Sequence, residues 1–265
     1  MDNRFSPPSS DIDLDFLRDL LLQAGKLALG QRGRFVAAAK PDASPVTEVD
    51  KQVEAYLIER ISARCPGQPI LSEESGLHPQ LLSSSEFTWV IDPIDGTRSF
   101  ATGLPIWGIS IGVLRRGLPA AGGLYMPVSD EMYWGDCDRA FYNERPMPRL
   151  QPPDPASILT FLAVPSNFHL HFNTAYPRLR SLGSTAAHLA YVATGAAAGM
   201  VTHSAGLWDI AGLLPVLAAV GAQIAYLSGA PFHPGDMADG SGLRAPLLAA
   251  HPAVMEDLRR AVKAA

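Results

Sequence analysis

The pattern of apolar positions along the chain switches between helical and strand spacing, and the order of those switches predicts its elements. After a polar, Pro/Ser-rich lead-in at residues 1–10, Phe16, Leu17, Leu20, Leu21, Ala24, Leu27 and Ala28 fall on one side of a 3.6-residue repeat. This predicts a packing helix capped by Ser10 or Asp11. Lys40–Val46 reads as a loop. A second helix is expected from Thr47 or Glu48 to about Arg64, with Val49, Val53, Leu57 and Ile61 facing inward. Cys65-Pro66-Gly67-Gln68-Pro69 ends it. Ile70–Ser72 and Trp89–Ile91 are strand candidates separated by a polar excursion over His78–Ser85. Ile106–Leu114, Leu118–Tyr125, Glu131–Trp134 and Ala140–Asn143 then form a meander, with turns at Arg115–Gly117 and Pro127–Asp130. Trp107, Tyr125, Tyr133 and Trp134 read as core and sheet-face packing.

Glu144–Pro155 carries several prolines and reads as a link between residues 1–145 and residues 146–265. Beyond it the pattern alternates between β and α. Strands are expected at Leu159–Val164, Leu179–Leu182, Ala197–His203, Gln223–Leu227 and Leu247–Ala250. Helices are expected at Ser184–Thr194, Asp209–Val220 and Pro252–Ala264. The class is therefore α/β, with an antiparallel, α+β first half. With 265 residues, 47% of them hydrophobic, the chain can bury a large core as one unit or as two closely packed halves. Its net charge of −5, with no Lys/Arg run interleaved with aromatics, argues against a basic nucleic-acid surface. No apolar run approaches the ~18 residues a membrane helix needs. Met1–Asp11 lacks the apolar core of a secretory signal, so a soluble, cytoplasmic protein is expected. Cys65 and Cys137 form no CxxC and no disulfide framework, which suits a reducing compartment.

The candidate chemistry centres on Glu86–Phe100. An apolar strand delivers Asp92; Pro93 should stop it there and turn the chain sharply, and Asp95, Gly96 and Thr97 follow. Two carboxylates on a rigid turn are either a site for a hard divalent cation or a surface turn capped by its own acids. Three further acids carry the same ambiguity. Asp50 points near the buried stripe of the second helix, or is simply a first-turn acid favoured by the helix dipole. Glu73-Glu74 ends a second strand, or is a solvated loop. Asp209 in Leu207-Trp208-Asp209-Ile210-Ala211-Gly212 is an N-cap, or joins an anionic ligand cluster.

Asp92-Pro93-Ile94-Asp95-Gly96-Thr97-x-Ser99-Phe100, the upstream Glu73-Glu74 and the downstream Trp208-Asp209-x-Ala211-Gly212 together resemble the inositol monophosphatase family, in the family's motif order. The resemblance runs from about Lys40 to the C-terminus. It implies an αβαβα sandwich, usually homodimeric, with lithium-sensitive, Mg²⁺-dependent hydrolysis of small phosphate monoesters. Carried over, Glu73, Asp92 and the Ile94 carbonyl would hold a first Mg²⁺, and Asp92, Asp95 and Asp209 a second. Glu73 would assist a third, weaker ion. Asp50 and Thr97 would orient and deprotonate the attacking water, and Gly96 and Thr97 would contact the phosphate. Gly183-Ser184-Thr185 would touch the substrate body. Two positions depart from the pattern. Ser99 replaces an Asn- or Thr-type residue of the first block. Members specific for inositol phosphates carry a Glu seven residues ahead of the second-block Asp, where this chain has Thr202, followed by His203. The phosphatase chemistry does not depend on that Glu. Sugar or glycerol phosphates, histidinol phosphate and 3′(2′),5′-bisphosphate nucleotides fit the same pattern, as does a non-catalytic member that binds metal or metabolite. No G-x-S-x-G elbow, P-loop or H-E-x-x-H supports another hydrolase, and His169 and His171 read as strand or loop residues, not a zinc pair.

Overall fold

The architecture follows from two long amphipathic helices and two sheets whose faces must both be covered. The computed structural model describes residues 12–33, 37–39, 45–76, 86–154, 157–237 and 242–265. Helix α1 (Leu14–Gln31) buries Leu17, Leu20, Leu21, Ala24 and Ala28, as the apolar spacing predicts. Its cap is Asp13, whose Oδ1 accepts the Phe16 N–H at 3.0 Å. The cap expected at Ser10 or Asp11 lies outside the described residues, as does the excursion expected over His78–Ser85 apart from its flanks. A short antiparallel pair, β1 (Ala37–Ala39) and β2 (Pro45–Thr47), leads into α2 (Glu48–Arg64). Part of the loop expected over Lys40–Val46 is thus strand. Thr47 caps α2 through a reciprocal box: Thr47 Oγ1 accepts from the Val49 and Asp50 N–H groups, and Asp50 Oδ2 accepts the Thr47 N–H at 2.8 Å.

The first sheet has seven strands: β3 (Ile70–Ser72), β4 (Phe87–Asp95), β5 (Gly108–Arg115), β6 (Leu118–Met126), β7 (Glu131–Asp136), β8 (Ala140–Tyr142) and β9 (Arg145–Pro146). They are paired in chain order, and only β3 and β4 run parallel. The expectation that the strand stops at Asp92 is corrected here. β4 continues to Asp95, with a register shift between Asp92, opposite Ser110, and Asp95, opposite Gly108. The irregularity falls at Pro93, which has no N–H for a ladder bond, and Asp92 Oδ1 takes the Ile94 N–H at 3.0 Å. Gly96, at φ 93°, then turns the chain into α3 (Thr97–Ala101). A Cβ at Gly96 would sit 2.9 Å from the Gly183 carbonyl, so both backbone sign and space require glycine.

The remaining elements are β10 (Phe161–Ala163), β11 (Phe172–Thr174), β12 (Leu179–Arg180), α4 (Thr185–Thr194), β13 (Ala197–Thr202), α5 (Leu207–Ala211), α6 (Leu214–Val220), β14 (Gln223–Tyr226), β15 (Leu247–Ala250), α7 (Met255–Ala261) and β16 (Val262–Ala264). The second sheet runs β12-β10-β13-β15-β14, while β11 pairs with β16. Two expected helices are corrected. Asp209–Val220 is α5 plus α6, starting two residues earlier and broken at Gly212–Leu213, with Pro215 in the first turn of α6. Pro252–Ala264 is a 3₁₀ turn, α7 and a strand.

Three buried apolar clusters define the layers. One joins α1 and α2 to the outer face of the first sheet, one fills the space between the two sheets around α4, α5 and α6, and one seats α7 on the second sheet. The order is αβαβα, as the resemblance implies. The small residues Ala197, Ala198 and Gly199 are interior positions of β13.

Helix α5 lies against β4 and β5, and its C-terminal end, Ala211–Gly212, rests where β5 and β6 carry glycine. A Cβ at Gly112 would meet Ala211 atoms at 2.7 Å, and one at Gly122 would meet the Gly212 carbonyl at 2.5 Å. This contact sets the height of Asp209 above the sheet. Gly122→Ala is expected to destabilise the protein by about 1–3 kcal/mol through overpacking and to weaken divalent-cation binding. Gly30→Ala, on the open side of α1 with nothing within 4 Å, should be neutral or stabilise by up to ~1 kcal/mol. Urea unfolding of both variants checks the contrast, and equal effects would contradict the close-contact account.

Candidate metal and phosphate site

Three carboxylates from different elements converge. Asp92 ends the regular part of β4, Asp95 follows the Pro93 irregularity, and Asp209 is the third residue of α5. One oxygen from each lies within 4.8 Å of the other two. Asp92 and Asp95 are buried and Asp209 is half-buried. Glu73, in the turn after β3, lies just outside this trio, yet its charge reaches Asp50, Asp92, Asp95 and Asp209.

The electrostatics are those of desolvated acids that repel one another. Burial, then the charges of Glu73, Asp95 and Asp209, hold the Asp92 carboxyl well above the ordinary carboxylate range. Burial, then Asp95 and Glu73, do the same to Asp209. Asp95 is pushed up to about 6 by burial, against the opposing pull of hydrogen bonds from Ser184 and the Ala186 and Thr185 N–H groups. Among the described residues no Lys or Arg stands among the leading causes of the three shifts. Crowded, desolvated carboxylates without a cation are unfavourable, and an all-oxygen donor set of this kind suits a hard divalent ion.

The sequence-predicted residues fall around this centre in distinct ways. Thr97 Oγ1 donates to the Ile94 carbonyl at 3.0 Å and lies 3.3 Å from Asp50 Oδ1. Asp50 is buried, its pKa raised first by that burial, and its Oδ2 is already engaged by Thr47. It is therefore both the first-turn capping acid and a neighbour of Thr97. Ser184 caps α4 by accepting the Ala187 N–H at 3.0 Å and donates its hydroxyl to Asp95 Oδ2. Thr185 N–H reaches Asp95 Oδ1 at 3.2 Å and Ala186 N–H reaches Oδ2 at 3.1 Å. Gly183 accepts from Ser99 Oγ at 3.4 Å. Asp209 is not the N-cap: its Oδ2 accepts the Gly206 N–H from the third helical position. Thr202, buried at the end of β13, donates to the Ser204 carbonyl at 3.0 Å.

Two supporting residues escape sequence reasoning. Glu54 Oε1 accepts the Ser75 N–H at 3.0 Å, fixing the turn that carries Glu73; its signal is its position one turn after Asp50 on the same face. His188 is buried and held neutral, its pKa lowered to about 4 by desolvation, and its Nε2 accepts the Leu182 N–H at 3.0 Å. It pins the Leu182–Ser184 segment, and no local pattern announces it.

The carboxylates open into a cavity of about 610 Å³ whose walls include Gly96, Thr97, Arg98, Asn167, Gly183, Ser184, His188, Thr202 and His203. A larger concavity of about 830 Å³ between β8, α6 and β14 contains none of the clustered acids. The chemistry lies in the smaller one.

An αβαβα sandwich with an acid cluster at its strand ends defines the class of sugar- and inositol-type phosphatases. Consistent with it, the model of the inositol monophosphatase family matches residues 14–263. An inositol-1-monophosphatase of Synechocystis is 32% identical over 84% of this chain and 82% of its own length. A histidinol-phosphatase of Chlorobaculum parvum is 32% identical over 79% and 83%. The crystal structure of a Thermotoga maritima IMPase superposes with a TM-score of 0.78 at 26% identity, covering 93% of this chain and 95% of its own. The chain belongs to the inositol monophosphatase family and is a phosphoric monoester hydrolase acting on small phosphate monoesters. Among the described residues no helix is long and apolar enough to cross a membrane.

The raised carboxyls have a thermodynamic consequence. The folded Asp95 pKa, about 6, lies above the ordinary aspartate value of 3.8, so the cation-free fold retains a proton that the unfolded chain releases. Its contribution to stability is full below about pH 4 and is lost as the pH rises through 6. Asp92 and Asp209 act in the same sense. A divalent cation therefore stabilises more as these acids ionise. The increase in melting temperature on replacing EDTA with Mg²⁺ is expected to be several degrees larger at pH 7.5 than at pH 5. An equal increase at both pH values would contradict the cluster's role.

Proposed function

We propose that the phosphatase acts with two to three Mg²⁺ ions held by Glu73, Asp92, Asp95, Asp209 and the Ile94 carbonyl, using water as the nucleophile. The observation that carries this is the convergence of Asp92, Asp95 and Asp209 within 4.8 Å, where their charges and that of Glu73 oppose one another's ionisation. Mg²⁺ bound there would lower the pKa of water at the site and offset charge on the phosphoryl and leaving oxygens. The chain's own residues do the rest. The Ile94 carbonyl would serve the ion, and the Thr97 hydroxyl stands between that carbonyl and Asp50. That hydroxyl then donates to Asp50 Oδ1, 3.3 Å away, and presents its lone pair to the attacking water. Asp50, made more basic by burial and with Oδ1 not engaged by Thr47, takes the proton through Thr97. The backbone of Gly96 and Thr97 steadies the phosphate. Gly183, Ser184, Thr185 and Thr202 border the substrate body, and Ser184 and Thr185 also hold Asp95 in orientation. Inhibition by Li⁺, a cytoplasmic location and a homodimer belong to the same reading.

Relatives named histidinol-phosphatase, inositol-1-monophosphatase and fructose-1,6-bisphosphatase/inositol-1-monophosphatase define the substrates to try. Phosphate release should require Mg²⁺, stop with EDTA and fall with Li⁺ for at least one of myo-inositol 1-phosphate, glycerol 2-phosphate, fructose 1,6-bisphosphate, histidinol phosphate and 3′-phosphoadenosine 5′-phosphate. Silence across the panel with Mg²⁺ bound would reject the enzyme reading. Asp50→Asn should lower kcat by about 10²-fold or more with a smaller effect on KM. Asp95→Asn should in addition raise the Mg²⁺ concentration needed for half-maximal rate. Full turnover by either variant would overturn its assignment.

A further inference from the structure

The cavity is charged asymmetrically. Its acids, Glu73, Asp92, Asp95 and Asp209, belong to the metal cluster, while among the described residues every other ionisable one on its walls is basic: Arg98, His188 and His203. His188 is committed to the Leu182 N–H. His203 is different. It follows Thr202, only partly buried, with Nε2 3.0 Å from Asn167 Oδ1 and its ring 3.9 Å from that of His171. Phe172 lies beside the pair, its ring centroid 6.1 Å from that of His203.

We propose that the Asn167–His171–His203 corner seats a second anionic group on the leaving half of the substrate. The chain would therefore favour phosphate monoesters that carry a further phosphate or carboxylate over esters of neutral polyols. The proposal rests on the phosphatase reading above.

Three observations carry it. First, two imidazoles in contact have no acid acting on His203: besides burial and its own backbone, only His171 shifts its affinity for a proton, downward. An anion is the missing partner of such a pair. Second, with its Oδ1 taken by His203 Nε2–H, the exposed Asn167 amide has its NH₂ left to donate. A proton taken up by the His203 ring as an anion binds would add a second donor, so the corner draws on two separate segments, the 3₁₀ turn after β10 and the end of β13. Third, Arg98 stands exposed on the same cavity with no ion pair among the described residues. Thr202 meanwhile spends its hydroxyl on the Ser204 carbonyl, so this wall has no carboxylate to grip sugar hydroxyls. A negatively charged leaving group gains charge-assisted hydrogen bonds here, roughly twice as strong as the neutral ones open to a polyol.

The test compares kcat/KM, with Mg²⁺, for fructose 1,6-bisphosphate, 3-phosphoglycerate and glycerol 2-phosphate in the wild-type protein, His203→Glu and Asn167→Ala. The wild type should favour one or both anionic esters, and which of them it favours separates phosphate from carboxylate. In His203→Glu the ratio of the favoured anionic ester to glycerol 2-phosphate should fall at least roughly tenfold, mostly through KM; in Asn167→Ala it should fall less. An unchanged ratio, or a wild-type preference for glycerol 2-phosphate, overturns the seat. If no ester is hydrolysed, the phosphatase reading fails separately. The seat is then decided by calorimetric titration of fructose 1,6-bisphosphate into Mg²⁺-loaded wild type and His203→Glu. Binding weakened about tenfold by the substitution supports the seat, and equal or absent binding overturns it.

Discussion

The mutual repulsion of Asp92, Asp95, Asp209 and Glu73 is the constraint to which the rest of the structure answers. Each of the three clustered carboxyls is raised by burial and by the others' charge, so the arrangement is held against an electrostatic gradient. A site of this kind stores the affinity for a cation in the fold itself. Rigid backbone on every side keeps the acids from turning away.

That rigidity is built from contacts with little freedom. The bulge at Pro93 changes the register of β4 so that Asp92 and Asp95 project on the sheet's terms and not on those of a flexible turn. The first turn of α4 fastens Asp95 with the Ser184 hydroxyl and two N–H groups. Glycines at 112 and 122 let α5 come down on the sheet until Asp209 reaches the cluster. Glu54 holds the turn that carries Glu73. The hydrogen bonds that lower the Asp95 carboxyl are the same ones that orient it, and they offset only part of the cost of burying it.

The opposite side of the cavity is built differently. Serines, Asn167 and His203 line it in loops and strand ends, with part of their surface open to solvent. Three of the four acids thus sit on sheet and helix, while the facing wall sits on connections, where a change of side chain leaves the core packing untouched.

Much of this was legible in one dimension. The helical stripes of α1 and α2, the hairpins from Gly108 to Tyr142 and the Ser184 cap of α4 follow from spacing and local chemistry, because each is satisfied by near neighbours. The two motif blocks identified the family. Local reasoning failed where a distant contact outweighed it. Pro93 ends a strand in isolation, but here pairing with β5 resumes beyond it. Asp209 looks like a cap, but the helix starts two residues earlier, with Asp209 accepting the Gly206 N–H from the third position, and Gly212 on the sheet ends it. The sequence by itself determined which residues can ligate a cation and which faces are apolar, since both are properties of side chains and their periods. Only the tertiary structure decided that Asp92, Asp95 and Asp209 share one desolvated point, that Glu54 and His188 brace it, and that His203 meets His171 and Asn167. Those are distances between residues far apart in the chain, and no local pattern encodes them.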